Sequence, residues 1–572
     1  MSASPPPTDA PRRPPRTPRP APVPRATSPR VTALAHRLGL TATADGTGEG
    51  AGARTGAGAE PGAYGAQVAG GTGAAAGALQ GEHRDAVAEF WREVEAAGTP
   101  LVEPDPAGDP DHAVVTFLWR GTPATRSVLV LPNKVIDPRT PTDNLMAHLP
   151  GTDVWHWSLR MRRDWRASYA LCVDEAAAAA GEPVGGEAAS GESAGEAPVV
   201  AQAPAPVMEP AGTAVEPTPT VAVVEPAVTA SPVAAVQPTA PRTAQGVPAP
   251  EPSDPGYLPW LRGQGRPDPR NPHALPRRWG GAPQSVVRLS NAPGEADWQP
   301  RAGIPRGTVT LHTVHSAALG NERRVWVYTP ATTSPTQPPA PAPAPAPTPT
   351  PTPTSGASAT PAPAGTESAT PLPVLVLFDG EMWQPELGVA TLLDNLIADG
   401  RLPPLVALLP DALDSDTRWS ELACNDRFVD FLTDDLLPWA AARWPLTTDP
   451  ARTVLAGQSL GGLLATYAAV RAPHRFGNAL SQSGSFWWPD GPAGQWLTSL
   501  VARTPADPAH PVRCWLSAGE QEWVLLPANR RLPEVLRAQG YAAQYREFNG
   551  GHDYLCWRTE LADGLVDLLG TG

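Results

Sequence analysis

Gly457-Gln458-Ser459-Leu460-Gly461 sets a single serine between two glycines, after the apolar run Val454-Leu455-Ala456 and before Gly462-Leu463-Leu464. The stretch reads as a strand, a very tight turn and a helix start, the arrangement of a nucleophile elbow. Glycines on either side remove the Cβ atoms that would collide where strand and helix nearly touch. A serine so placed is exposed at a helix N-terminus, where backbone N–H groups can hold an oxyanion.

A serine hydroxyl is a poor nucleophile until a base takes its proton. Phe548-Asn549-Gly550-Gly551-His552-Asp553 offers one: two glycines let the loop bend tightly, and His552 is the expected base. His474 and His510, the other histidines after the elbow, read as surface residues. A third group must orient the imidazole, and in this chain order it falls between serine and histidine. Glu520 and Glu522, just past the strand ending at Ser517, both qualify. The oxyanion needs two backbone donors. Leu460 N–H is one. The other is expected from Phe378-Asp379-Gly380-Glu381, with Glu381 N–H the first choice and Gly380 N–H the alternative.

These groups need elements to hold them. Strand-like runs at 373–378, 405–409, 454–457 and 512–517 alternate with helical patterns, including Phe428–Trp444 and Pro527–Gln539, and a last strand covers 543–548. That alternation implies a mostly parallel sheet with helices on both faces, the α/β-hydrolase architecture, over residues 306–572. Two more strands, 308–315 and 323–328, open the domain. Residues 81–305 start with an amphipathic helix, 87–97, followed by strands near 113–119, 127–131, 153–159, 167–172 and 285–289. Short strands with turns between them suggest a β-sandwich. This N-terminal module is expected to pack beside the catalytic mouth and form one wall of the site. Trp155, Trp157, Arg160 and Arg163 are its candidate wall residues, although core packing suits the two tryptophans better.

Composition separates the rest. The chain has 572 residues with 75 Pro and 53 Gly, many of them in blocks with few large apolar side chains. Residues 1–80 are read as a disordered Pro/Arg/Gly/Ala tail. Residues 175–253 are read as a disordered acidic insert in the module, and 331–371 as a Pro/Ala/Thr insert in the catalytic domain. Such stretches bury too little apolar surface to offset chain entropy. The net charge of −14 argues against general nucleic-acid binding. The sequence shows no signal peptide and no run long enough to span a membrane, so a cytoplasmic protein is expected. Cys172, Cys424, Cys514 and Cys556 lack zinc-ligand spacing.

Several separate stretches together resemble the bacterial enterochelin (ferric-enterobactin) esterases. They include 457–462, Leu480-Ser-Gln-Ser-Gly-Ser-Phe-Trp-Trp488, Gly550-Gly-His-Asp553 with Cys556-Trp-Arg558, and Leu377-Phe-Asp-Gly380 with Trp383. Leu409-Pro-Asp-Ala412 with Arg418, Glu421, Cys424 and Asn425 also fits. So do Leu149-Pro-Gly-Thr-Asp153 and Asp268-Pro-Arg-Asn-Pro272 in the N-terminal module. The resemblance favours Glu522 over Glu520, because Glu522 matches the glutamate upstream of Ala528-Asn529. It implies a serine esterase that hydrolyses an iron-loaded catecholate siderophore in the cytoplasm. No cofactor is implied, since iron enters as part of the substrate. Arg418, Glu421, Asn425, Trp487 and Trp488 are the implied substrate-binding residues. Arg418 would meet the anionic complex, Glu421 and Asn425 would brace its loop, and the tryptophans would stack on catechol rings. Two alternatives remain: an esterase or acyltransferase of the same fold acting on acyl sugars or small acyl esters, and a non-catalytic siderophore-binding protein. The oligomeric state is not readable.

Overall fold

The computed structural model describes residues 24–42, 64–66, 73–135, 137, 140–176, 250, 254, 256–331, 370–489 and 494–570. The expectations for residues 1–23, 43–63, 67–72, 177–249 and 332–369 lie outside the described residues.

The disordered-tail expectation for 1–80 is corrected where residues are described. Pro29–Arg37 is a helix capped by Ser28, whose hydroxyl accepts from Val31 N–H at 3.2 Å. Val31, Leu34 and Ala35 sit at helical spacing and share a buried cluster with Phe90, Trp91 and Val94 of the helix Gly73–Ala97. That second helix begins well before the expected residue 87, because the alanines at its start carry helix propensity without an apolar stripe. Strands β1 (Leu40–Ala42) and β2 (Tyr64–Ala66) pair antiparallel.

The module continues with β3 (Leu101–Pro104), β4 (His112–Arg120), β5 (Thr125–Pro132), β6 (Ala147–His148), β7 (Val154–Arg162) and β8 (Arg166–Glu175). After the acidic insert come β9 (Gly265–Arg266), β10 (Ala274–Leu275) and β11 (Gln284–Arg288). They form two antiparallel sheets, ordered β3-β4-β7-β6 and β10-β11-β8-β5, with β9 on β8. Phe117, Trp157 and Leu159 of one sheet bury against Val130, Tyr169 and Leu171 of the other, which makes the expected β-sandwich.

The catalytic sheet has β12 (Thr308–Ser316), β13 (Asn321–Thr329), β14 (Val374–Leu377), β15 (Val406–Pro410), β16 (Thr453–Gln458), β17 (Asn478–Gln482), β18 (Arg513–Gly519) and β19 (Ala542–Phe548). Its order is β12-β13-β15-β14-β16-β17-β18-β19. β13 runs antiparallel to both its neighbours, β12 and β15, and every other pair is parallel. Every residue of β14, β16 and β17 is buried, as a sheet covered on both faces requires. β17 escaped the strand reading because Asn478, Ser481 and Gln482 break its apolar run, yet all three are buried in the sheet, where Asn478 and Gln482 donate to backbone carbonyls. The helix expected over 428–444 is divided: α-helical Asp426–Asp430 and Leu437–Ala441 flank a π-helical turn at Phe431–Leu436.

The two domains share a core. Leu275, Val286 and Trp298 of the module belong to the same buried cluster as Leu375, Trp383 and Leu555 of the catalytic domain. The Trp298 and Trp383 rings stack 6.1 Å apart. Arg166 is buried and donates to Thr559 Oγ1 at 2.6 Å and to the Cys556 carbonyl at 3.2 Å. Among the described residues no helix is long and apolar enough to cross a membrane.

Candidate active site

Ser459 caps the helix Leu460–Arg471 directly after β16, at φ 58° and ψ −117°. A side chain rarely adopts that backbone, and it turns the hydroxyl out of the strand-to-helix corner. The corner closes only because of its glycines: a Cβ on Gly457 would lie 2.7 Å from the Gly461 carbonyl carbon. Ser459 Oγ shares a hydrogen bond with Ser485 Oγ at 3.3 Å, and Ser485 N–H donates to the Ser459 carbonyl at 2.9 Å.

His552 follows β19 in a loop that ends at Asp553, the cap of the helix Tyr554–Leu569. Its Nδ1 lies 2.6 Å from Glu522 Oε2. The other carboxylate oxygen, Oε1, accepts from Ser483 Oγ at 2.6 Å and from Gly519 N–H at 2.9 Å. Ser483 Oγ in turn accepts from Trp557 Nε1 at 2.9 Å, and the Trp557 ring meets the His552 ring edge-on at 4.7 Å. Burial opposes a charge on Glu522, but the neighbouring His552 and the hydrogen bonds from His552 and Ser483 outweigh it and hold its pKa below the usual carboxylate range. Glu520 faces elsewhere: it pairs with Arg162 of the module at 3.0 Å. Geometry therefore separates the two glutamates that the chain order left open.

A cleft of about 210 Å³ holds Ser459, Leu460, Ser485 and His552 in its lining. Arg418, Trp419 and Trp487 line it too, the last two with rings 6.3 Å apart. Lys134, Arg278 and Trp279 of the N-terminal module complete the wall. The module thus does border the site, but through residues the sequence reading missed. Trp157 is core and Arg160 is held by Asp105 and Asp109; neither lines the cleft, nor do Trp155 and Arg163. The overlooked signal was Arg277-Arg278-Trp279-Gly280-Gly281, a loop of cations, an aromatic ring and two glycines. Trp279 is 49% exposed, has φ 66° and stands 4.7 Å from the Arg278 guanidinium.

Of the implied substrate residues, Trp488 is corrected, while Glu421 and Asn425 have a bracing place and touch no part of the cleft. Trp488 is fully buried and meets Trp496 edge-on, because the next residue along β17's trailing loop turns inward rather than to the cleft. Glu421 is buried and bound to Arg323 at 2.6 Å. Asn425 caps the helix that starts at Asp426 and donates to the Ser420 carbonyl at 3.0 Å. Glu421 and Asn425 therefore anchor the helix Ser415–Leu422, which carries Arg418, without lining the cleft.

Arg418 is itself engaged, donating twice to Asp379 at 2.7 Å. Asp379, buried at φ 64°, also accepts from Arg278 and from Gln458 Nε2. Burial raises the cost of its charge, yet the two arginines hold its pKa at about 2. Glu381 takes Arg278 Nε at 3.0 Å and the Ala412 N–H at 3.1 Å, so its side chain braces the turn after β14. Gly380 packs against the Leu409 carbonyl, where no Cβ fits. Of the three oxyanion candidates, Leu460 lines the cleft and Gly380 and Glu381 do not. Among the described residues no group of three or more His, Cys, Asp or Glu is placed to hold a metal ion, and all four cysteines are buried thiols.

Two family models match the chain: "Enterochelin esterase, N-terminal" over residues 114–202 and "Putative esterase" over 360–568. The iron(III) enterobactin esterase of Dickeya dadantii is 31% identical over 84% of this chain and 92% of its own length. The iron(III) salmochelin esterase of Escherichia coli is 28% identical over 86% of this chain and 96% of its own. Among solved structures, the enterobactin esterase of Shigella flexneri in the presence of enterobactin is 26% identical. It covers 84% of this chain and 97% of that one with a TM-score of 0.56.

Proposed function

The chain belongs to the enterochelin esterase family, and from that premise we propose that it hydrolyses the ester bonds of a ferric catecholate siderophore with Ser459, His552 and Glu522 as its triad. The observation that carries this reading is the 2.6 Å contact between His552 Nδ1 and Glu522 Oε2, in the same cleft as the elbow serine. With Nδ1 donating to the carboxylate, Nε2 is left as the acceptor for the Ser459 proton. Ser459 Oγ then attacks the ester carbonyl. The oxyanion that forms is met by Leu460 N–H, the one of the three expected donors whose residue lines the cleft. His552 returns its proton to the departing serine hydroxyl of the siderophore, and water repeats the cycle on the acyl-enzyme. The triad supplies nucleophile, base and acid, so the reaction runs without a resident metal, and iron comes and goes with the substrate. The cytoplasm is the compartment proposed for this release.

The cleft of about 210 Å³ is smaller than pockets that enclose drug-sized ligands, roughly 300 Å³ and up. It takes one catecholate arm and leaves the rest of the complex against the rim, where Trp279 stands. Each turn of the serine cycle opens one ester bond. Mass spectrometry of a ferric triscatecholate lactone incubated with the protein tests this: the first product is expected to be the ring-opened linear form, one water heavier. An unchanged lactone would sink the reading.

The rim gives a second expectation. Aromatic stacking is worth about 0.5–1.5 kcal/mol, so Trp279→Ala should raise KM for the ferric complex by roughly three- to tenfold. A phenyl ester small enough to stay inside the cleft should show a change under about twofold. Equal shifts for both substrates would show that Trp279 only shapes its loop.

A further inference from the structure

The loop that carries His552 is gripped from behind by the N-terminal module. Asn133, one residue beyond β5, donates from Nδ2 to the His552 carbonyl at 2.9 Å. Its own carbonyl lies 2.7 Å from where a Cβ on Gly551 would stand, so the two backbones touch directly. Asp553, the next residue along, accepts Ser168 N–H at 2.6 Å on one oxygen and caps its own helix through Leu555 N–H on the other. Asn549 donates to Asp164 at 2.6 Å. These grips belong to one rigid piece, because Asn133 N–H donates to the Ser168 carbonyl at 2.9 Å and β5 pairs with β8. The catalytic domain holds the ring of His552, through Glu522 and Trp557, and the module holds its backbone.

We propose that the N-terminal module is a positioning device for the catalytic base, with Asn133 as the positioning residue. The inference rests on the Ser459–His552–Glu522 reading above. A loop with two consecutive glycines, Gly550 and Gly551, has many backbone conformations to lose. The module removes that freedom before substrate arrives, so that the ring is already held in the cleft that Ser459 lines. Small misplacements of a reacting group cost large factors in rate, which is why a contact behind the base matters to the chemistry.

This role differs from that of a binding wall, and kinetics separate the two. Asn133→Ala is expected to lower kcat by about tenfold on the ferric lactone and on a small phenyl ester alike, with KM unchanged for both. Asn133→Gln restores an amide donor on a longer arm and is expected to recover part of the loss. Asp164→Ala, at a half-exposed grip on the same loop, gives the same kcat pattern at smaller size and serves if the Asn133→Ala protein does not fold. Unchanged kcat in folded Asn133→Ala, or a loss confined to KM of the siderophore, overturns the proposal. Ser459→Ala run alongside keeps the two readings apart. If it retains turnover, the triad assignment fails; if it is inactive while Asn133→Ala and Asp164→Ala match the unaltered chain, only the positioning role fails.

Discussion

Ser459→Ala is expected to lower kcat on a ferric catecholate lactone by about four orders of magnitude or more, while the dissociation constant of the complex stays within about twofold. The change deletes one oxygen. Alanine accepts the φ 58° backbone no worse than serine does, and the elbow glycines are untouched. The one hydrogen bond lost is the long one to Ser485 at 3.3 Å, so fold and melting temperature should hold. What disappears is the nucleophile. His552, Glu522 and the oxyanion donors remain and can activate only a stray water. Binding can be followed by quenching of the cleft tryptophans Trp279, Trp419 and Trp487. Turnover within tenfold of the unaltered chain would remove Ser459 from the mechanism.

Glu522→Gln is expected to cost about 10³- to 10⁴-fold in kcat with little change in KM. The carboxylate is buried and acts only as an acceptor, from His552, Ser483 and Gly519. An amide places an NH₂ group against one of those donors. If it faces Oε1's partners, two donors collide. If it faces His552, the imidazole must turn its lone pair to the amide, and the tautomer that leaves Nε2 free as a base is lost. The variant should melt lower by several degrees, since a buried donor is left unsatisfied at about 1–3 kcal/mol. Comparing Glu520→Gln under the same conditions completes the test. Glu520 sits in an exposed pair with Arg162, so its loss should change kcat by less than about twofold. The reverse ranking of the two glutamates would overturn the assignment.

Much of this site was legible in the chain because its groups sit at forced positions. Gly457 and Gly461 announce the elbow because nothing larger fits there, and Gly550-Gly551 announce a loop that bends into a site. Strands with unbroken apolar runs, such as Val374–Leu377, were read at nearly their true limits. β17 was not, since Asn478 and Gln482 find partners only in three dimensions. The N-terminal helix Pro29–Arg37 was hidden by the prolines and arginines around it, although Val31, Leu34 and Ala35 keep helical spacing. Arg418 was found from its type and does line the cleft, but its pairing with Asp379 could not be read from the chain. No spacing rule links Lys134 or Trp279 to Ser459, because they reach the cleft from another domain, more than a hundred residues away in the chain.

The arginines beside the nucleophile have a consequence for how substrate arrives. Arg278 and Arg418 are matched by Asp379 and Glu381, a cluster with no net charge, in a chain whose formal total is −14. These two arginines therefore add no net long-range pull on an anionic iron complex, and Lys134 is the lining cation outside their cluster. What the paired arginines offer is contact made after collision, over distances shorter than the Debye length of about 10 Å at 0.1 M salt. Added salt leaves contacts that short in place, so the share of capture they carry should change little with ionic strength.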